Sequence, residues 1–195
     1  MPKHLPASSL PVLRRPRRHS VVALGTLLVA GLAVAPVAHP EAARPACAAA
    51  LSPDAVLARL NATRARGAVC HHTGDAAMAA PLRWSASLAA VAAQQSREMA
   101  ELNRMGHRDS QNRGLTERLA AMGYRFSTAA ENVAVGYPSL DEVVDAWIDS
   151  APHCENLMNA KVLELGLACS DGSHGAEPGE NRYWTLVLGA PPRTR

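Results

Sequence analysis

Two short motifs place cysteine beside histidine, a pairing that can activate a thiolate or bind a metal ion. Cys154 directly follows His153, and Cys70 precedes His71 and His72. A thiolate at such a position can act as a nucleophile or ligate zinc. The chain contains four cysteines, however, and in an exported protein an even number favours disulfide bonds. From the residues alone three pairings are possible, and we interpret His71 and His72 as surface loop residues.

Conventional hydrolase motifs are absent from the sequence. It has neither the Gly-x-Ser-x-Gly elbow of serine hydrolases nor the His-Glu-x-x-His helix of zinc proteases. Glu142 completes the capping box Ser139-Leu140-Asp141-Glu142, and helix capping explains its presence. The three tryptophans lie beside predicted elements, which indicates core packing rather than a carbohydrate platform: Trp84, Trp147 and Trp184. The sequence therefore disfavours a conventional protease.

The N-terminal segment has the pattern of an export leader. Residues 1–20 contain five basic residues and no acid, and residues 21–38 contain no charge. A basic segment followed by a short apolar one is typical of a signal peptide, and a membrane helix needs ~20 apolar residues. We predict a leader over residues 1–43, with cleavage between Ala35 and Ala46 and an uncleaved anchor as the alternative. The mature protein is then expected to be secreted or periplasmic, with no membrane span.

The leader also accounts for the apparent basicity of the chain. The whole sequence has a formal charge of +3, but from residue 44 onward it contains 15 Lys and Arg against 16 Asp and Glu. A balanced charge gives no reason to expect nucleic acid as a partner. The chain beyond the leader is long enough for one domain with one core, which we place at residues 50–190.

Caps and apolar periodicity predict four helices in this domain. They are residues 53–66, a long helix capped by Ser85, residues 115–122 before Gly123, and a helix that begins at the capping box. Three β-favouring runs, residues 132–135, 163–168 and 183–188, are predicted strands. Because the helices precede the strands instead of alternating with them, we expect an α+β fold with a small central sheet.

An ordered series of short motifs resembles the CAP superfamily. The motifs are Pro81-Leu82-Arg83-Trp84, Gly106-His107, Gly123-Tyr124, Ala130-Glu131-Asn132-Val133-Ala134, Trp147-Ile148-Asp149-Ser150 before His153, Asn156-Leu157-Met158-Asn159, Glu164-Leu165-Gly166 and Tyr183-Trp184-Thr185. The superfamily includes cysteine-rich secretory proteins, insect venom antigens, plant pathogenesis-related proteins and bacterial secreted proteins with an SCP domain. The resemblance implies a three-layer α-β-α sandwich with a mainly antiparallel sheet.

The resemblance also implies a cleft with two histidines and two acidic residues, which this chain matches at His107, Glu117, Glu131 and His153. Two imidazoles from separate elements beside a carboxylate meet the minimum for a divalent cation, most naturally zinc. We therefore expect His107 and His153 to be metal ligands. The alternative is a polar cluster in which both histidines only hydrogen-bond the two glutamates.

Disulfide pairing is a further implication of the same resemblance. Bacterial members often carry only the pair equivalent to Cys70 and Cys154, which leaves Cys47 to pair with Cys169.

Three functions are compatible with these features. The leading interpretation is an exported domain whose cleft binds a divalent cation and a lipid, sterol or protein ligand, with no firm catalytic activity. The first alternative is a metal-assisted hydrolase of peptide or cell-envelope material, with Glu131 or Glu117 as general base. The second is a secreted interaction module that recognises a partner through loops such as residues 170–181 while the cleft is structural. Whether the protein is an enzyme stays open, with the sequence favouring the answer no.

Overall fold

The computed structural model describes residues 13–14, 46–47, 51–67, 70, 78–173 and 181–193. The rest of the predicted leader, and His71 and His72, lie outside the described residues. The elements are β1 (Leu13–Arg14), α1 (Pro53–Arg66), β2 (Arg83–Trp84), α2 (Ala86–Glu101), α3 (Leu115–Ala121), β3 (Thr128–Val135), α4 (Leu140–Asp149), α5 (Ala151–Met158), β4 (Glu164–Asp171) and β5 (Arg182–Ala190). All four predicted helices and all three predicted strands are confirmed, and α5, β1 and β2 are additional.

The described strands form one sheet in the order β1-β3-β5-β4-β2. The three long strands pair antiparallel, whereas the two-residue strands β1 and β2 pair parallel with β3 and β4 at the edges. All nine residues of β5 are buried because it lies at the centre, with helices on both faces. β1 belongs to the predicted leader, and the other four strands lie within residues 50–190.

Helices cover both faces of the sheet and give the three layers. Apolar side chains alternate along β5, so that Trp184, Leu186 and Leu188 pack in the cluster formed with α1, α4 and α5. Val187 points to the opposite face and packs with α2 and α3. The expected α+β sandwich is thus confirmed. Among the residues that the structure describes, no helix has both the length and the apolar character that a bilayer crossing requires.

Local sequence signals explain where α1 and α4 begin. The Ser52 hydroxyl accepts a hydrogen bond from the Ala55 amide at the start of α1, and Ser139 does the same for Glu142 at the start of α4. Such caps satisfy amide groups that have no partner inside a helix. The capping explanation of Glu142 agrees with this geometry.

Two disulfides join distant parts of the chain. Cys70 is bonded to Cys154 on α5, and Cys47 is bonded to Cys169 on β4. This is the pairing that the family resemblance implies. Cys154 is therefore neither a free nucleophile nor a metal ligand in this structure.

Candidate functional site

A buried carboxylate on β3, that of Glu131, lies at the centre of the predicted cleft residues. Glu131 is 3% exposed, and each of its oxygens has a partner. Oε1 lies 2.9 Å from His107 Nδ1, and Oε2 accepts a hydrogen bond of 2.8 Å from Arg118 Nη2. The three groups come from three elements, since His107 lies in the loop after α2 and Arg118 lies on α3. Glu131 therefore holds these elements together at one point.

The environment of His107 fixes the orientation of its ring. A carboxylate can only accept, so the contact with Glu131 requires Nδ1 to carry the proton. The backbone carbonyl of Gly106, the residue before His107, accepts a hydrogen bond of 2.8 Å from Gln95 Nε2. Nε2 of His107 is buried and has no hydrogen-bond partner among the described residues. In the neutral ring, this nitrogen is the one left for a ligand.

The loop that carries His107 is itself organised around a buried acid. Asp109 accepts hydrogen bonds from the amides of Gln111 and Arg113 and from Arg113 Nε. Burial alone would raise the pKa of Asp109, but the hydrogen bonds and the charge of Arg113 outweigh it, and the pKa of this carboxyl is lowered. The loop is therefore held by an ionised side chain.

His153 lies on the first turn of α5 and is fully buried. Its Nδ1 lies 2.8 Å from Ser150 Oγ. Its carbonyl accepts a hydrogen bond from Asn132, whose side chain also accepts one from Asn156. Asn132 follows Glu131 on β3, so the hydrogen-bond network links the two histidines through the strand.

The fourth predicted residue, Glu117, does not join this network. It is exposed on α3, whereas its neighbour Arg118 is buried and reaches Glu131. Consecutive helical residues point about 100° apart, and here Arg118 and Leu119 share the buried side of α3 while Glu117 faces outward. Arg118 was not predicted from the sequence. The available signal was its spacing, because position 118 lies three residues after Leu115 and beside Leu119, on the apolar face of the helix.

A separate cavity lies beside β4, away from the histidines. It has a volume of about 330 Å³ and its wall is mostly apolar. It is lined by Leu51, Ser52, Pro53, Trp84, Ala93, Arg97, Leu167, Ala168, Cys169 and Ser170. The other two tryptophans are buried in the core, as predicted, while Trp84 is only partly buried and forms part of this wall.

The sequence model of the cysteine-rich secretory protein (CAP) family matches residues 57–188, about two thirds of the chain. The chain belongs to the CAP family. Over 87 residues the domain is 29% identical to the uncharacterized protein YkwD of Bacillus subtilis (strain 168). That match covers 45% of this chain and 34% of YkwD, so it spans only about a third of the relative.

Solved structures agree on the fold of this CAP domain. An extracellular protein containing an SCP domain from Bacillus anthracis str. Ames superimposes with a TM-score of 0.54 at 23% identity, covering 71% of this chain and 44% of that one. An outer surface protein from Borrelia burgdorferi gives a TM-score of 0.56 at 18% identity, covering 73% and 97% of the two chains. At these identities the likeness establishes the architecture alone.

The donor set of the cleft does not fit the divalent cation that the resemblance implies. Within the described parts of this CAP domain, no group of three or more His, Cys, Asp or Glu side chains is placed to hold a metal ion. Both oxygens of Glu131 are already engaged, and a guanidinium lies 2.8 Å from one of them. A positive charge at that distance opposes a second cation. We therefore derive no catalytic step through a metal.

The loop proposed as a recognition surface is only partly described. Residues 174–180 of it lie outside the described residues. Asp171 and Arg182 form an ion pair of 2.7 Å at the base of the loop, where β4 and β5 pair.

Proposed function

We propose that this protein is an exported CAP domain that acts by binding, and that it holds a single-chain amphiphile with an anionic head group in the cavity beside β4. The observation that carries the proposal is the cavity itself, together with the charge at its wall. Two disulfides support an extracytoplasmic location, because such bonds persist in oxidising compartments. The leader pattern and the extracellular or outer-surface description of both solved neighbours agree with it.

The wall of the cavity suits an acyl chain. Its largest apolar side chains are Leu51, Trp84 and Leu167, which come from three different segments. A volume of about 330 Å³ lies at the lower end of the range for small-molecule sites, roughly 300–1,000 Å³. A mainly apolar wall with a few polar groups is typical of sites that bury most of a ligand. The ligand is therefore expected to be small and largely apolar.

The polar groups of the cavity favour a negative head group. Arg97 on α2 lines the cavity and is exposed. No hydrogen bond or ion pair of its guanidinium occurs within the described parts of the chain. The hydroxyl of Ser170 lies 3.2 Å from that of Ser96 and lines the same space. Guanidinium binds carboxylate and phosphate more strongly than it binds neutral groups.

A fluorescence titration with a dansyl-labelled undecanoic acid tests this proposal. We expect saturable binding to the oxidised mature protein, and a loss of at least about tenfold in affinity for Ala93→Phe, which would fill the cavity. Ala90→Phe is the matched control, since Ala90 lies on the same helix, is exposed and does not line the cavity. Absence of saturable binding in the parent, or equal affinity of Ala93→Phe and the parent, would refute the proposal.

The same titration separates the head group from the chain. Arg97→Gln should weaken binding of the acid by up to about fivefold, because an exposed ion pair contributes at most about 1 kcal/mol. The methyl ester of the probe carries no charge, so its affinity should be the same for Arg97→Gln and the parent. If the acid and its methyl ester lose affinity equally, Arg97 acts through packing, and the proposal of an anionic head group is wrong.

In this proposal the cleft around Glu131 has a structural role. Its carboxylate is buried and paired on both sides, which stabilises the junction of β3, α3 and the loop with His107. The metal-assisted hydrolase would need ligands that the described residues do not gather. Divalent-cation binding and hydrolysis remain predictions from the sequence alone.

A further inference from the structure

We propose that Arg118 is a built-in cation of the cleft, which neutralises Glu131 and keeps divalent metal ions out of the site. This inference concerns the cleft and is independent of the ligand proposed for the cavity beside β4. It assigns Arg118 a positioning role, because the guanidinium orients Glu131, and Glu131 in turn orients His107.

Burial makes the pairing of Arg118 and Glu131 obligatory. The side chain of Arg118 is 0% exposed and that of Glu131 is 3% exposed. Neither charge can be solvated at such a position, so each needs the other as a counter-ion. Arg118 Nη2 also lies 3.3 Å from the carbonyl of His107, which it donates to. One guanidinium thus joins the carboxylate and the backbone of the histidine loop.

The remaining donors of Arg118 point to the same conclusion. Its Nε and Nη1 are buried and have no acceptor among the described residues. Guanidinium has five N–H donors and no acceptor, so these groups attract an oxygen atom and repel a cation. A metal ion on His107 Nε2 would share the cleft with this charge. The site is therefore expected to reject the cation that two histidines and a glutamate would otherwise attract.

Packing prevents Arg118 from turning away to make room. The next residue, Leu119, is fully buried in a cluster with Leu88, Val91 and Val187. A rotation of α3 that removed Arg118 from Glu131 would also pull Leu119 out of that cluster. The core consequently fixes which of Glu117 and Arg118 faces the cleft.

Zinc titration by calorimetry on the oxidised protein tests the inference. The parent and Arg118→Lys, which keeps the positive charge, should show no saturable binding up to about 100 µM zinc. Arg118→Glu replaces the cation by a second carboxylate beside Glu131 and should bind one zinc ion. Binding should disappear in Arg118→Glu/His107→Ala, which removes an imidazole ligand. Zinc should also raise the Tm of Arg118→Glu by at least about 5 °C and leave that of the parent unchanged.

A refolding experiment tests whether Arg118→Glu fails to bind zinc only because the variant is unstable. Arg118→Glu is refolded from urea with and without zinc, and recovery only in zinc supports the inference. Failure to refold in both conditions counts against it, as does a folded variant that binds no zinc. Saturable binding by the parent that His107→Ala abolishes would overturn the inference directly. Equal zinc binding by Arg118→Lys and Arg118→Glu would show that charge is not the reason.

Discussion

Glu131 and Asp109, the two most buried acids among the described residues, show two ways in which a buried carboxylate is stabilised. Glu131 is paired by side chains from distant elements, His107 and Arg118. Asp109 is satisfied locally, by two amides and the side chain of Arg113 within one loop. Carboxylates that accept several N–H groups are stabilised in the ionised form. The stability of the loop that carries His107 should therefore depend on pH through the ionisation of Asp109.

Asp109→Asn should destabilise the protein by about 1–3 kcal/mol at pH 7, because the new amide would present N–H groups to Arg113 Nε, which is also a donor. The folded pKa of Asp109 lies below that of an unfolded aspartate, about 3.9. Its contribution is therefore complete above about pH 4 and is lost as pH falls through the lower folded pKa.

Urea unfolding at several pH values measures this effect. The difference between parent and variant should shrink towards low pH, where Asp109 is protonated in both states. Asp149→Asn is a control at an exposed acid and should stay within about 0.5 kcal/mol of the parent throughout. A pH-independent difference would show that the charge of Asp109 does not matter.

At the same scale, the sequence singled out three residues of this hydrogen-bond network but not the arginine that balances its charge. The motifs gave His107, Glu131 and His153, and the structure joins them through β3. The choice between Glu117 and Arg118 depended on the rotation of a seven-residue helix, which the packing of Leu119 sets. From residue type alone, an acid is more expected than an arginine in a cleft with two histidines. A buried arginine needs a counter-ion, and only the fold shows which residue provides it.

At the scale of elements, α2 packs directly against the backbone of β4. At Gly166 on β4, an added Cβ would lie 2.0 Å from the backbone nitrogen of Ala89 on α2. The amide of Ser85, which caps α2, donates to the carbonyl of Leu165 at 2.8 Å. Helix and strand are thus in backbone contact, and glycine is required because no side chain fits between them.

Gly166→Ala should therefore lower the free energy of unfolding by about 3 kcal/mol or more, since backbone atoms cannot move aside as a flexible side chain can. Gly106→Ala is the matched control, because an added Cβ there has nothing within 4 Å. Thermal unfolding followed by circular dichroism measures both. Equal Tm values for the two variants would show that α2 does not lie as close to β4 as described.

The elements that the sequence failed to predict share a physical cause. α5 has eight residues and follows α4 without a loop, because Ser150 is both the C-cap of α4 and the N-cap of α5. β1 and β2 have two residues each, too few to show alternation. The long elements were predictable because caps and periodicity act locally. Short ones form because the neighbouring strand or helix supplies their partners.

Considered as a whole, the molecule is closed by two covalent links between distant parts of the chain. Cys47 and Cys169 are 122 residues apart in the chain, and Cys70 and Cys154 are 84 apart. The first link attaches the segment before α1 to β4, where the amide of Cys47 also donates to Asp171 at 2.7 Å. The second attaches the chain after α1 to α5. Both therefore hold α1 against the rest of the domain.

Removing either link should cost about 2–5 kcal/mol, and the two costs should differ little, because the entropy of loop closure rises only with the logarithm of loop length. Cys47→Ala/Cys169→Ala and Cys70→Ala/Cys154→Ala are compared with the parent by urea unfolding under oxidising conditions.

The effects of these two double variants on ligand affinity should differ, however, since Cys169 lines the cavity beside β4 and Cys154 does not. We expect the dansyl probe to lose affinity in the first variant and to keep it in the second, at a temperature where both are folded. Equal affinity in both would show that the cavity wall does not depend on the link at Cys169, whereas equal stability of all three proteins would show that the disulfides do not constrain the unfolded chain.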